Sequence, residues 1–309
     1  MILESAHIEI KEHFLEKPYV LSFATIEKVT SVVLIVFIEG KEYISEVVPL
    51  YGYNEETEEK IVDYLNDWVA DAPGKNIYDL RAEQKVNIKN HPFSVSPILV
   101  ALDSFILNFK VIIEKIDFVI PTSHGEILTL DLNSNKEFKL KLSGDVETDI
   151  ESLKLLQKSH LKVRADANQI YSRESASAFF KKILMEGLVN TIHYIEQPVS
   201  FDDWETLAYL KQTFPEVPIM LDESVIIDED IWKAKKIGIE FIKLKLFKQG
   251  GIIETIRQAQ LNRFLGIETV IGNGVATSIS NKIENTIYSQ YKECFFGASE
   301  ANGFLKLLN

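Results

Sequence analysis

The apolar positions of the first 95 residues form two strand-like runs followed by a helical repeat. The runs at residues 32–38 and 43–48 flank the turn signal Glu39-Gly40-Lys41, a spacing that predicts an antiparallel hairpin. Behind an acidic turn, apolar residues then recur with the spacing of an amphipathic helix, at Ile61, Tyr64, Leu65 and Trp68. Together these signals predict an α+β unit.

From about residue 138 onward, short apolar runs alternate with longer amphipathic stretches. The runs of strand length cover residues 138–142, 161–166, 191–196, 219–222, 241–246 and 268–272. Strands joined by connections of helix length pair in parallel, which either an open doubly wound sheet or a closed barrel satisfies. The sequence has no P-loop signature. Gly272-Asn273-Gly274 lacks the third glycine of a G-x-G-x-x-G motif. The pattern therefore favours a (β/α)₈ barrel.

Charge and composition limit the classes of partner that we expect the chain to bind. The 309 residues include 46 acidic and 33 basic side chains, a net charge of −13 that repels phosphate backbones and anionic lipid headgroups. We therefore expect no nucleic-acid and no membrane partner, and the longest apolar run is far shorter than the roughly 18 residues of a spanning helix. The single cysteine, Cys294, and the charged residues Glu4 and Glu9 near the start predict a cytoplasmic protein.

One polar residue stands at or near the carboxyl end of each predicted strand. These residues are Lys141, Asp166, Glu196, Asp222, Lys245 and Asn273, and Glu300 follows Asn273 at a similar interval. Barrel enzymes build their sites from these strand ends, so the recurrence predicts three carboxylates in the middle of the ring with a lysine on each side.

Each residue also has a plainer interpretation. Lys139 and Lys141 alternate as on an exposed strand edge, Asp166 and Asp222 could cap helices, and Glu196 could be a solvated loop carboxylate. An unpaired ammonium inside a covered parallel strand costs several kcal/mol, however. The joint register of these residues favours a site.

The carboxylates also indicate a metal. Three carboxylates with no histidine or cysteine ligand pattern specify a hard cation, and room for water and substrate favours Mg²⁺ over a closed Ca²⁺ cage. We expect Mn²⁺ to substitute, and zinc fits poorly because the six histidines show no ligand spacing.

The order and spacing of these motifs resemble the enolase superfamily, in its muconate-lactonizing-enzyme subgroup. The matching segments are Lys139-Leu140-Lys141, Asp166-Ala167-Asn168, Glu196-Gln197-Pro198, Asp222-Glu223-Ser224 and Lys245-Leu246-Phe247-Lys248-Gln249-Gly250-Gly251. The resemblance implies a modified TIM-like (β/α) barrel with an N-terminal α+β capping domain. It further implies that Asp166, Glu196 and Asp222 bind Mg²⁺ and that Lys141 and Lys245 form the acid/base pair.

The resemblance also assigns domains and supporting residues. It implies a capping domain at residues 1–95, a barrel at 96–297, and a tail at about 298–309 that returns to the cap. Two cap segments are similar to the family's substrate-specificity loops, and they contain Ser22, Phe23, Tyr51 and Tyr53. The supporting residues of the site are Lys139, Lys243, Lys248, Asn273 and Glu300.

The chemistry implied is Mg²⁺-dependent removal of the proton next to the carboxylate of a small-molecule substrate, through an enediolate. Our leading interpretation is dehydration like that of o-succinylbenzoate synthase. It rests on the absence of the Asp-x-Asp pair that the family's dipeptide epimerases carry on the eighth strand, where this chain has Ala298-Ser299-Glu300-Ala301-Asn302.

Several alternatives stay open. They are racemisation or epimerisation of an N-acylamino acid or dipeptide, a muconate-type cycloisomerisation, and an inactive barrel used for binding. A further departure from the family is Lys243, where relatives usually have asparagine. Which lysine acts as the base, and whether the chain forms a homo-oligomer, are also open.

Overall fold

The structure is a computed structural model, and it describes residues 1–20, 25–50, 56–112, 114–129 and 136–308. The N-terminal unit is an antiparallel sheet, in the order β1-β2-β3, covered by three helices. Its elements are β1 (Ser5–Val20), β2 (Thr25–Ile38), β3 (Lys41–Val47), α1 (Glu58–Asp71), α2 (Ile77–Lys85) and α3 (Pro92–Ile106).

Most of the predicted α+β unit is confirmed. The hairpin is β2 and β3, with Ile38 paired to Lys41 across the turn. The helix is α1, which buries Ile61, Leu65 and Trp68 and begins where the Thr57 side chain accepts a hydrogen bond from its first turn. Strand β1, which the sequence analysis did not predict, is exposed along much of its length, so its apolar residues do not alternate cleanly.

The second unit is a parallel sheet in the order β10-β9-β8-β7-β6-β5-β4. Its strands are β4 (Ile120–Thr122), β5 (Phe138–Lys141), β6 (Val163–Asp166), β7 (Ile192–Glu196), β8 (Ile219–Leu221), β9 (Phe241–Leu244) and β10 (Glu268–Ile271). Its helices are α4 (Val146–Lys158), α5 (Arg173–Met185), α6 (Trp204–Thr213), α7 (Asp228–Ile237), α8 (Leu246–Gln249), α9 (Ile252–Leu265) and α10 (Ser278–Gln290).

The two edges of this sheet are joined by the segment at residues 296–300. The N–H of Glu300 donates to Ile271 of β10 at 3.0 Å, and Ser299 forms a parallel bridge with Phe118 just before β4. The described part of the chain thus forms seven parallel strands closed by a short eighth segment. The modified (β/α) barrel with an N-terminal α+β domain is confirmed.

Alternation along the barrel strands separates an apolar outside from a charged inside. On β5, Phe138 and Leu140 lie in the large core between the sheet and the surrounding helices. Lys139 and Lys141 lie between them in sequence and line the interior cavity. The same period on β6, β7 and β9 brings Arg164, Glu196 and Lys243 inside the ring. Met220 of β8 and Val270 of β10 instead form a small apolar cluster with Tyr194.

The two units share a seam. Helix α3 contributes Ile98 to the core of the N-terminal unit, while Phe93 stacks on Phe247 of the barrel at 4.6 Å. The boundary proposed at residue 95 therefore falls within one helix that packs on both units. The end of the chain pairs with β1, where Leu307 bridges Leu15. Within the described residues, no helix is both long and apolar enough to cross a membrane.

Candidate active site

A cavity opens at the carboxyl ends of the barrel strands, on the side that faces the N-terminal unit. Apolar walls come from Val48, Leu50 and Phe93 of that unit. The remaining wall includes the predicted site residues of the barrel except Lys248, namely Lys139, Lys141, Asp166, Glu196, Asp222, Lys243, Lys245, Asn273 and Glu300. The structure thus brings the strand-end residues into one place.

Strand register explains how the carboxylates become neighbours. Asp166 pairs with Lys141 on one side and with Glu196 on the other, because β5, β6 and β7 run in parallel with these residues at their ends. Asp222 follows β8, and its N–H donates to the side-chain oxygen of Gln197 at 3.1 Å. The three carboxylates therefore occupy consecutive strands.

Lysines lie on both sides of this set. Lys141 Nζ is 2.6 Å from Asp166 Oδ2, and Lys245 Nζ is 2.5 Å from Asp222 Oδ2. Lys248 Nζ is 3.0 Å from Asp222 Oδ1 and also donates to the Lys243 carbonyl oxygen at 2.8 Å. Because β5 and β9 stand on opposite sides of β6, β7 and β8, the amines of Lys141 and Lys245 flank the carboxylates.

Deeper in the barrel, two lysines and two glutamates form a closed ring of charges. Lys139 Nζ lies 2.5 Å from Glu196 Oε2 and 2.9 Å from Glu300 Oε2. Lys243 Nζ lies 3.1 Å from Glu196 Oε1 and 2.5 Å from Glu300 Oε2. The lysine that replaces the usual asparagine is thus matched by Glu300, and the ring fixes Glu196 in the wall of the cavity.

Two residues that the sequence analysis missed complete the surroundings of Glu300. Arg164 is fully buried, and it donates to Glu300 Oε1 at 2.9 Å and to Glu137 Oε2 at 2.6 Å. The Tyr194 hydroxyl donates to Glu300 Oε1 at 3.2 Å. The signal for Arg164 was present, since it lies two residues before Asp166 and therefore on the same face of β6.

Nearby cations keep three of the strand-end carboxylates charged. Burial disfavours the ionised form of Asp166, but the ammonium groups of Lys139 and Lys141 outweigh it and hold its pKa well below the usual range. The same balance, burial against nearby ammonium groups, holds the pKa of Asp222 and of Glu300 low. These sites are therefore anionic at neutral pH.

Glu196 behaves differently. Burial, together with the charge of Asp166, raises its pKa, and the ammonium groups of Lys139 and Lys243 offset only part of the effect. Glu223 is similar, because burial and the charge of Asp222 raise its pKa to about 7, and its Oε2 has no hydrogen-bond partner among the described residues. A positive charge added nearby would stabilise the ionised form of both carboxylates.

The donor set fits a hard cation. Asp166, Glu196 and Asp222 present carboxylate oxygens on neighbouring strands, which are the ligands that Mg²⁺ prefers. Across the described ranges, no three Asp, Glu, His or Cys side chains lie close enough to hold a metal together as they stand. Each predicted ligand contacts ammonium groups, so a bound cation would share these carboxylates with the lysines.

The remaining predicted residues shape the cavity wall or fall outside the description. Asn273 holds the loop after β10, since its side-chain oxygen accepts from Val275 N–H at 3.0 Å and its carbonyl accepts from Asn281 at 3.1 Å. The four residues predicted to lie in specificity loops fall outside the described residues, namely Ser22, Phe23, Tyr51 and Tyr53.

Comparison with known proteins agrees with this geometry. The family model described as "Enolase C-terminal domain-like" matches residues 130–300, more than half of the chain. An N-succinyl-L-Arg/Lys racemase of Bacillus cereus is 26% identical over 150 residues, 47% of this chain and 40% of that protein. A hydrophobic dipeptide epimerase of Enterococcus faecalis is 33% identical over 138 residues, 43% of this chain and 38% of that protein.

The fold likeness extends farther than the sequence likeness. A crystal structure of a dipeptide epimerase from Enterococcus faecalis, complexed with Mg and the dipeptide L-Leu-L-Tyr, matches with a TM-score of 0.83 at 21% identity. That match covers 100% of this chain and 92% of the other. By sequence, the chain spans about two fifths of the length of the two curated relatives. The chain belongs to the enolase C-terminal domain-like family, in the muconate-lactonizing-enzyme subgroup of the enolase superfamily.

Proposed function

We propose that the chain is an Mg²⁺-dependent isomerase that moves the proton at the carbon next to a substrate carboxylate. The observation that carries this proposal is the placement of Lys141 and Lys245 on opposite sides of three carboxylates. One amine can take the proton from one face of the carbon while the other returns a proton to the opposite face. Such a pair inverts the configuration of the carbon.

Asp166, Glu196 and Asp222 would hold the metal. When bound, Mg²⁺ supplies positive charge against the substrate carboxylate, which stabilises the anion left by proton removal. The chain's own contribution is the orientation of the two amines by Asp166 and Asp222, and the Lys139 and Lys243 contacts that fix Glu196. The half-reaction therefore needs both the carboxylates and the flanking lysines.

Glu300 favours an N-acylated substrate over a dipeptide. A dipeptide ammonium in a closed site needs an anionic partner. The carboxylate on the closing segment already lies against three cations, Lys139, Lys243 and Arg164. We therefore propose an N-acylamino acid as substrate, which agrees with the racemase among the relatives. Dehydration like that of o-succinylbenzoate synthase stays a prediction.

Deuterium exchange at the α-carbon tests the lysine roles. With N-succinyl-L- and D-lysine and Mg²⁺ in D₂O, replacing Lys141 or Lys245 with Ala should lower racemisation at least ~100-fold. Each variant should keep exchange with one enantiomer, and the two variants should keep opposite ones. Lys236→Ala, at an exposed position on α7, is the control and should match wild type.

Two outcomes would redirect the proposal. Full racemisation by Lys245→Ala would assign its role to Lys243 or Lys248. A tenfold higher kcat/KM for dehydration of the cyclohexadiene precursor of o-succinylbenzoate than for racemisation would favour the lyase interpretation, a preference of about 1.4 kcal/mol.

Calorimetry tests the metal ligands separately. Wild type should bind Mg²⁺, with Mn²⁺ as a substitute, and Asp222→Ala should lose this binding because a ligand is removed. Equal Mg²⁺ affinity in the two proteins would show that Asp222 is not a ligand.

A further inference from the structure

Two buried carboxylates of the N-terminal unit accept hydrogen bonds from the first turns of barrel helices. Glu46, on β3, accepts from the N–H groups of Thr277 and Ser280 at 3.0 Å each, and from the Thr277 hydroxyl at 2.6 Å. Asp103, on α3, accepts from the N–H of Ile253 at 2.9 Å. Three N–H groups at the starts of helices α10 and α9 are thus bonded across the seam.

Both helices follow loops on the Lys245 side of the cavity. Helix α9 begins directly after residues 245–251, and α10 begins shortly after Asn273, which lines the cavity. Glu46 itself stands two residues before Val48, which forms part of the apolar wall. The two carboxylates therefore connect the N-terminal unit to the half of the barrel that carries Lys245.

The double glycine fits this contact. A Cβ at Gly251 would stand 2.6 Å from Asp103 Oδ2 and 3.0 Å from Leu99 Cβ, and one at Gly250 would stand 2.8 Å from Ile88. Both glycines also have φ in the left-handed region, at +81° and +100°. Only glycine allows the N-terminal unit to approach the Lys245 loop this closely.

The Lys141 half is held by local contacts instead. The N-terminus of α4 is capped by Asp145, which accepts from Thr148 N–H at 2.9 Å. Asp149 accepts from Ser143 N–H at 2.8 Å in the loop between β5 and α4. Ser172 caps α5 in the same local way. These helix starts take their acceptors from nearby residues of the barrel.

We propose that Glu46 and Asp103 are positioning residues that hold the Lys245 half of the site against the N-terminal unit. Lys245 then depends on the seam, whereas the described helix starts on the Lys141 side take their acceptors from the barrel. The inference rests on the proposed function in one respect, that the two lysines serve opposite faces of the substrate carbon. Glu46 and Asp103 act through the loops and touch no reacting atom.

Enantiomer-specific exchange separates positioning from general stability. The Lys141→Ala variant, in which only Lys245 acts, identifies the enantiomer that Lys245 handles. Glu46→Ala should slow deuterium exchange of that enantiomer at least tenfold and exchange of the other less than threefold. Glu46→Gln, which keeps an acceptor oxygen, should recover most of the rate, and Glu42→Ala, at an exposed position on the same strand, should match wild type.

Amide hydrogen exchange tests the seam without any substrate. Glu46→Ala should lower protection of the peptide at residues 276–281 at least tenfold, and Asp103→Ala should do the same for residues 250–256. An equal loss of α-exchange for both enantiomers, or unchanged amide protection in these peptides, would overturn the positioning role. If wild type exchanges neither enantiomer, the proposed function fails, and amide protection alone decides whether the carboxylates hold the seam.

Discussion

Two sets of buried carboxylates differ in the partners that surround them. At the carboxyl ends of the strands, Asp166, Asp222 and Glu300 lie against ammonium or guanidinium groups. At the seam and in α10, Glu46 and Glu284 lie against neutral donors, mainly backbone N–H groups and side-chain hydroxyl or amide groups. All five are almost completely removed from water.

The difference appears in their protonation. Burial raises the pKa of every member of both sets, but in the first set the nearby cations outweigh burial and leave the pKa below the usual range. In the second set burial raises the pKa of Glu46, and that of Glu284 to about 7, despite their hydrogen bonds. Neutral donors do not compensate fully for the lost hydration of a charge. A buried carboxylate that must stay anionic to bind a cation therefore needs cations nearby before the ligand arrives.

The largest effect should come from removing Glu300, the carboxylate that three buried cations share. Glu300→Ala leaves Lys139, Lys243 and Arg164 without their shared carboxylate, so we expect a loss of about 3–5 kcal/mol in the free energy of unfolding. Chemical denaturation measures this. Glu293→Ala, an exposed residue of the barrel, is the control, and a Glu300→Ala loss no larger than that of the control would contradict the role of the ring.

Glu284 should make the free energy of unfolding depend on pH in the opposite sense to carboxylates with a lowered pKa, such as Asp166 and Asp222. Its pKa in the folded state, about 7 against 4.5, lies above the unfolded value, so its stabilisation is present below pH 4.5 and is lost as the pH rises to 7. The loss should be roughly 3 kcal/mol. Denaturation across this range should show a flatter profile for Glu284→Gln, and an unchanged slope would show that Glu284 is already ionised at pH 5.

A smaller effect is expected from removing the Thr277 hydroxyl, a neutral donor to Glu46 at the seam. Thr277→Ala removes the cap of α10, which accepts from Ile279 N–H at 3.2 Å, and the hydroxyl that donates to Glu46. We expect a loss of about 1 kcal/mol in the free energy of unfolding. Thr277→Ser keeps the hydroxyl and should restore it, so equal losses in both variants would point to the missing methyl group instead.

The smallest effect should come from an ion pair in water. Lys182 contacts Glu147 between α5 and α4, where the lysine side chain is partly exposed and the glutamate side chain is exposed. Screening leaves such pairs worth less than about 1 kcal/mol, so Lys182→Ala should change the melting temperature little. A loss comparable to that of Glu300→Ala would mean that burial does not distinguish the two kinds of pair.

The strand-end residues could be predicted because the alternation within a strand and the spacing of polar residues along the chain are local properties of the sequence. Lys141, Asp166 and Glu196 follow from the alternation of their own strands, and their convergence follows from parallel pairing. Arg164 obeys the same period but was missed, because an arginine before an aspartate carries no motif of its own.

The seam could not be predicted in the same way. Glu46 and its partner Ser280 are separated by 234 residues, and neither has a neighbour that signals the contact. Strand β1 was not predicted because it is exposed along much of its length, so apolar and polar residues do not alternate clearly in its sequence. Contacts of this kind depend on how two finished units pack, which no short window of sequence records.

The closing segment at residues 296–300 has a consequence for the order of folding. Its bridge from Ser299 to Phe118 joins residues 181 positions apart, and the same stretch brings Glu300 into the charged ring. Contacts so distant along the chain form late, since the loop between them must be ordered first. During synthesis the lysines and carboxylates of the site therefore remain incompletely balanced until residue 300 has been made, and the cavity takes its final shape only when the barrel closes.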